Sequence, residues 1–363
     1  MTAILEKIDR VKVVANHCAG VGRGGRCLKE IERQANILWR EKKIKVDIER
    51  THKLEERGII TGREHFYTYR KDGKNDAITI ARMAVRDEYD VAVFAGGDGT
   101  INEGTNGLCL FGAAAIPLAI IAGGVGDDFV SQLGSPKGVD WFFKLLLRED
   151  VNSIRKKIKL IDVGLLEWEE NGGIYKRAFN NILSFGLDAL INKEVVSWKE
   201  NKSYLFRIPF SPIFIKGVYF YAALKMLLRN RRLEYPELRI DIDDSEGSFE
   251  EITILGIGNG SKYGRFLNLV PQADLQDGML DICQIGKTRR RRLLVTVLKI
   301  VKGTHVSLPE VKKLPDGSLP KTSKVKVFSR RPTICQMDGE VVSLPAGEYR
   351  ISVLPKALPV IIP

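Results

Sequence analysis

Residues 91–108 read Val-Ala-Val-Phe-Ala-Gly-Gly-Asp-Gly-Thr-Ile-Asn-Glu-Gly-Thr-Asn-Gly-Leu. Residues 91–95 form an unbroken apolar run, the pattern of a strand buried on both faces. Gly96, Gly97, Asp98 and Gly99 end that run. Thr100 is then a candidate helix N-cap, with Glu103 three residues on as its capping-box partner. The stretch therefore predicts strand, glycine-rich turn and helix N-terminus in succession. Such a turn exposes main-chain N–H groups beside the positive end of a helix, a setting that suits a phosphate. Asp98 in that turn would hold a metal ion next to it. Glycines that merely make a tight βα turn are the plain alternative. Asp98, Thr100 and the Asn102-Glu103 pair weigh against it.

The surrounding chain carries the same alternation. Residues 11–15 predict a strand, 28–40 an amphipathic helix, 44–48 a strand, 65–68 a strand, 76–85 a helix and 113–122 a further buried strand. A strand–helix alternation that runs to Arg148 predicts an α/β layer with a parallel sheet, its glycine turns gathered at the strand C-terminal ends. From Lys157 the character changes. Residues 159–166, 174–183, 238–242, 252–257, 280–285, 325–328 and 350–354 predict strands, several with period-two alternation. A long, partly helical segment (188–230) interrupts them. Two domains fit a chain of 363 residues, which exceeds an ordinary single core.

Composition narrows the partners. A net charge of +12 fits attraction to an anionic membrane, a nucleotide or a nucleic acid, or simply a basic surface. Nucleic acid is not expected as a partner, because no zinc-finger spacing or RNA-binding aromatic strand is present. Five cysteines are scattered without a C-x-x-C pair, so neither a zinc site nor a disulfide framework is predicted. No signal peptide is expected at the N-terminus. The apolar region 204–228 is interrupted by charges and prolines and falls short of the ~20 clean residues of a membrane span. A cytoplasmic protein is expected, with peripheral contact to an anionic membrane; Arg289–Arg292, ahead of an apolar helical stretch, are the candidate anchor. Two other phosphate patterns are decoys. Gly20, Gly22 and Gly25 satisfy G-x-G-x-x-G, but the first glycine lies several residues past the strand. Gly286-Lys287-Thr288 would suit a P-loop, yet Asp281 stands where its first glycine belongs.

The G-G-D-G-T core at 96–100, continued by Asn102-Glu103 and Asn106-Gly107-Leu108, resembles the diacylglycerol kinase catalytic domain family, which includes bacterial diacylglycerol kinases and the sphingosine and ceramide kinases. NAD kinases and phosphofructokinases share the core but not usually the continuation. The resemblance extends through Thr68 with Asp76-Ala77, Gly124 with Asp128-Phe129, Asn181 with Gly186-x-Asp188-Ala189, Gly258-Asn259, Pro271 to Asp281, and Asp338-Gly339-Glu340. It covers essentially the whole chain.

The resemblance implies an α/β N-terminal domain with a parallel sheet, NAD-kinase-like and diacylglycerol-kinase-like, over residues 1–157. A β-rich sandwich domain would follow over 158–345, with the tail, about 346–363, returning to the first. It implies an ATP-dependent lipid kinase, with Mg-ATP bound between the domains and a lipid such as diacylglycerol or a sphingoid base as acceptor. Nucleotide contacts would come from Asn16, Gly20, Thr68, Gly96, Gly97, Asp98, Gly99, Thr100, Asn102, Glu103, Gly124, Val125 and Asp128. Asp98 and Asp128, aided by Asp188, would organise the active-site metal, and Glu340 would be the general base. A structural Mg²⁺ would sit on Asp277, with main-chain oxygens near Asp274 and Met279. A homodimer is one expected assembly. The sequence departs from the pattern at His17 and Ala19, where Pro and Ser are usual, and at Val125 and Asp127, where Thr and Asn are usual. A valine side chain makes no hydrogen bond to a phosphate, although its N–H still can. Two alternatives therefore stay open: an NAD-kinase-like enzyme for a soluble substrate, and a non-catalytic lipid- or nucleotide-binding regulator.

Overall fold

A computed structural model describes residues 5–16, 24–51, 60–61, 76–110, 116–124, 127–134, 138–200, 218, 221–222, 224–225, 235–243, 245–263 and 267–363. The chain divides into two compact units, residues 1–163 with 355–363, and residues 164–354. Gly20, Thr68 and Val125 and the strand expected at 65–68 lie outside the described residues.

The first unit is an α/β layer. Its elements are β1 (Arg10–Asn16), α1 (Gly24–Lys42), β2 (Lys45–Thr51), β3 (Ile60–Thr61), α2 (Ala77–Arg86), β4 (Val91–Gly96), α3 (Asp98–Cys109), β5 (Leu118–Ala122), α4 (Asp128–Leu133), α5 (Trp141–Arg148) and α6 (Val151–Arg155). The parallel strands run in the order β2-β1-β4-β5, and Val360 of the C-terminal tail pairs in parallel with Leu118. Every residue of β4 is buried, as a strand covered on both faces must be. One face carries Val11, Val13, Val91, Val93, Ala119 and Ile121 against Ile31 and Leu38 of α1 and Phe142 of α5. The chain leaves β1 toward β2 on one side and β4 toward β5 on the other. The strand order therefore reverses between β1 and β4, and the crevice beyond their C-terminal ends is where sheets of this kind bind ligands.

Helix ends follow local chemistry. Asp76 caps α2, its carboxylate accepting the Thr79 N–H at 2.8 Å, and Asp150 caps α6 through the Ser153 N–H at 2.9 Å, each typically worth about 1 kcal/mol. One expectation is corrected. Helix α3 starts at Asp98 with extended Gly97 as its N-cap and no side-chain cap. Thr100 therefore lies inside the first turn, and its hydroxyl accepts the Asn16 side-chain amide at 3.0 Å.

The second unit is a β-sandwich built from β6 (Ile158–Glu170) beyond Val163, β7 (Gly173–Phe179), β8 (Ile182–Gly186), α7 (Leu187–Glu200), β9 (Glu237–Ile242), β10 (Glu250–Gly258), β11 (Leu280–Gly286), α8 (Arg290–Val301), β12 (Lys321–Thr322), β13 (Lys324–Ser329), β14 (Thr333–Met337), β15 (Glu340–Leu344) and β16 (Gly347–Ile361) as far as Leu354. One sheet runs β15-β14-β8-β10-β11-β12; β9, β13, β16, β6 and β7 make the other. Period-two alternation divides the side chains of the first sheet. Leu183, Phe185, Leu280 and Ile282 enter the core between the sheets with Val325, Val327, Tyr349 and Ile351. Ile182, Cys283 and Ile285 face the opposite way and pack with Leu187 and Ile191 of α7 and Leu293 and Ile300 of α8. The single strand expected over 174–183 is two strands, β7 and β8, separated at Asn180 and Asn181. The reason is a side chain: Asp338 takes the N–H groups of Asn180, Asn181 and Ile182.

Candidate active site

In the first unit the ends of β1, β4 and β5 meet. Gly123 donates its N–H to the Gly96 carbonyl at 2.9 Å, so the turns after β4 and β5 lie side by side. Gly97 and Gly124 touch there. A Cβ on Gly124 would stand 2.6 Å from the Gly97 Cα and 2.8 Å from Asp127 Oδ1, so glycine is required by close approach rather than by flexibility. Asp127 has φ +54°, a left-handed conformation in which Asp and Asn are enriched. Its carboxylate accepts the Gly124 N–H at 3.1 Å. An asparagine oxygen could make that same bond. Asp98 Oδ1 accepts the Phe129 N–H at 3.4 Å, which ties the start of α3 to α4. Asn16, Gly96, Gly97, Asp98, Gly99, Thr100, Gly124 and Asp128 are thus gathered on these turns and helix starts. Asp128 is buried. Asn102 is buried within α3 and accepts the Asn106 side-chain amide through Oδ1 at 3.2 Å; Glu103 is half-buried on the same helix.

In the second unit Asp338 and Gly339 form the two-residue loop between β14 and β15. Their φ values are +48° and +87°, and Met337 pairs with Glu340 across the loop. Positive φ at both positions is the demand of a type I′ hairpin, which Asp-Gly meets at low strain. Each partner of this loop is polar and fixed. Asp338 accepts three main-chain N–H groups at 2.6–3.0 Å. The Gly339 carbonyl accepts the Asn192 amide at 2.8 Å, and its N–H goes to Gln336 Oε1 at 2.9 Å. The loop delivers Glu340, 8% exposed, onto an ion pair with Arg177 of β7. Sequence reasoning missed Arg177 and Gln336. The strand register alone could have pointed to Gln336, which pairs with Ser184.

Asp188 stands in the first turn of α7, but its carboxylate does not cap the helix. Oδ2 accepts the Ser184 hydroxyl at 2.5 Å and the Gln336 amide at 3.1 Å. Burial pushes its pKa up to about 6, against the smaller opposing effect of those two bonds. An aspartate raised above its unfolded value gives stability that is full below pH ~4 and is lost as pH rises through the folded value. The rise corresponds to about 3 kcal/mol at most. Asp188→Asn keeps an acceptor for both donors and abolishes the titration. Thermal melts of the variant are therefore expected to lack the decline that the parent shows between pH 4 and 7, leaving it the more stable at pH 7. Parallel curves for the two proteins would contradict this.

The turn expected to carry a structural Mg²⁺ is differently engaged. Asp274 Oδ1 accepts the Gln276 N–H at 3.0 Å, and Asp277 Oδ1 accepts the Met279 N–H at 3.0 Å. Asp277 Oδ2 accepts Lys321 Nζ at 2.8 Å. Burial alone would lower the Lys321 pKa; the bond to Asp277 and the charge of Asp281 outweigh it and raise it. Among the described residues no group of three or more His, Cys, Asp or Glu side chains could hold a metal ion. Like unit charges 4 Å apart near a protein surface repel by about 4 kcal/mol, so an ammonium on Asp277 disfavours a divalent ion beside it. The residues present do not fit that ion.

A parallel α/β unit with a Gly-Gly-Asp-Gly turn at its switch point, followed in the chain by a β-sandwich, is an NAD-kinase-like fold. Residues 10–157 match the diacylglycerol kinase catalytic domain, and residues 181–362 match the YegS C-terminal NAD kinase beta sandwich-like domain. The chain belongs to the diacylglycerol kinase catalytic domain family. Diacylglycerol kinase of Mycobacterium tuberculosis is 27% identical over 276 residues, 75% of this chain and 80% of that protein. Diacylglycerol kinase of Bacillus subtilis is 27% identical over 274 residues, 76% of this chain and 78% of that one. A diacylglycerol kinase crystal structure from Bacillus anthracis superposes with TM-score 0.59 at 20% identity, covering 98% of each chain. Yeast NADH kinase complexed with NADH superposes with TM-score 0.51 at 12% identity, covering 99% of this chain and 86% of that one.

Proposed function

We propose that the protein is a lipid kinase that moves the γ-phosphoryl of Mg-ATP to the hydroxyl of a lipid such as diacylglycerol or a sphingoid base. The Glu340 carboxylate, fixed on the Asp338–Gly339 loop and paired with Arg177, carries this reading. Phosphoryl transfer asks little covalent chemistry of a protein; it needs alignment, charge neutralisation and a base at the attacking oxygen. The turn at Gly96–Gly97, against which Gly124 packs, would offer main-chain N–H groups to the phosphates, and Asp98 and Asp128 would hold the Mg²⁺ that arrives with ATP. The lipid hydroxyl attacks the γ-phosphorus, its proton passes to Glu340, and the bond to the ADP oxygen breaks. Arg177 holds the Glu340 carboxylate in place through their ion pair. Relatives named diacylglycerol kinase support the lipid acceptor. A panel of diacylglycerol, sphingoid base and ceramide in mixed micelles with γ-labelled Mg-ATP tests it; label on none of them removes the lipid assignment.

Peripheral contact with an anionic membrane belongs to the same proposal. Arg291, Val295 and Leu298 of α8 and Lys302 at its C-cap are exposed at helical spacing, with Val295 49% and Leu298 45% accessible. Two apolar residues flanked by cations suit an interfacial helix. Val295→Asp with Leu298→Asp is expected to weaken sedimentation with phosphatidylglycerol vesicles about tenfold. Undiminished sedimentation would place the membrane contact elsewhere.

A further inference from the structure

We propose that Lys321 is a built-in structural cation, its ammonium doing at the Asp277 turn what a bound divalent ion would otherwise do. The strand register dictates its position. β12 pairs with β11 so that Lys321 stands directly opposite Asp281 and Thr322 opposite Leu280. Directly opposed residues of an antiparallel pair project to the same face, so the lysine and the aspartate meet. Lys321 Nζ lies 2.8 Å from Asp277 Oδ2 and 3.3 Å from Asp281 Oδ2. One ammonium thus spans the turn and the first residues of β11.

Asp281 makes this cation necessary. Its side chain is 1% exposed, and among the described residues no well-aligned hydrogen bond reaches either carboxylate oxygen. A carboxylate so buried is costly unless a charge or several donors answer it. Lys321 is the cation in ion-pair contact with it, and the same ammonium holds the Asp277 turn closed over the start of the strand. A hard divalent ion would link such a turn through carboxylate and carbonyl oxygens. A lysine on the facing strand links it covalently to the fold, and its occupancy does not depend on ion concentration.

Thermal unfolding of the full chain without nucleotide tests this independently of catalysis. The parent is expected to unfold at one temperature in EDTA and in millimolar MgCl₂ at matched ionic strength. Lys321→Ala is expected to unfold lower in EDTA by about 4 °C or more and to recover part of that loss with MgCl₂, because the vacated carboxylates then accept the ion. Lys321→Arg, which keeps the charge, is expected to stay near the parent. If Lys321→Ala does not fold, the parent comparison and Lys321→Arg still decide. A parent that loses stability in EDTA and regains it with MgCl₂ overturns the proposal, as does Lys321→Ala melting with the parent in EDTA, or Lys321→Arg falling as far as Lys321→Ala.

Discussion

Glu340→Gln is expected to lower the rate of phosphoryl transfer by about 10²–10⁴-fold, the usual contribution of a positioned general base, while leaving the fold and nucleotide affinity unchanged. The asymmetry follows from the surroundings. The β14–β15 loop is held by bonds of Asp338, Gln336 and Asn192 to main-chain groups. Glutamine has nearly the same volume and keeps an acceptor for Arg177, so the hairpin has no reason to move. The proton acceptor alone is lost. Comparing kcat with the ATP dissociation constant and the circular dichroism spectrum separates these effects. Transfer at the parent rate would remove Glu340 from the reaction; a collapsed spectrum would make it structural.

Gly124→Ala should cost about 100-fold in kcat/KM for a different reason. The added methyl group would stand 2.6 Å from the Gly97 Cα, a main-chain atom that cannot swing away as a side-chain tip can. The two turns must separate by several tenths of an ångström or more. Displacements of about 1 Å in positioning groups cost about 10²-fold in rate. Because the strain falls on the phosphate-facing turns, weaker ATP binding by titration calorimetry is expected alongside the rate loss. Unchanged affinity for ATP would mean that these turns do not hold the phosphates.

Local signals read well in this chain. The apolar run at 91–95 and the glycines after it announced β4 and its turn because every interaction that shapes them lies within a few residues. Asp338-Gly339 is likewise a local turn sequence. The partners of that turn were hidden. Arg177 pairs with Glu340 across 163 positions, and Gln336 meets Asp188 across 148. Such pairs arise from the order in which β7, β8 and β14 assemble, which no local periodicity encodes. β14 and β15 were themselves overlooked, since five-residue strands with polar residues at Gln336 and Ser343 show little alternation. Thr100 failed as an N-cap for a related reason: its hydroxyl faces Asn16 from the neighbouring strand, a tertiary partner that overrides the capping pattern. Lys321 gave no signal at all, because its role depends on standing across a ladder from Asp281.

The acceptor of the phosphoryl group is the claim on which the rest depends. A single reaction holding γ-labelled Mg-ATP, diacylglycerol in mixed micelles and NAD, followed by solvent extraction, tests it most directly. The expected result is label in the organic phase as a lipid phosphate, absent when Glu340→Gln replaces the parent. Label recovered on NAD in the aqueous phase, with none extracted, would contradict it.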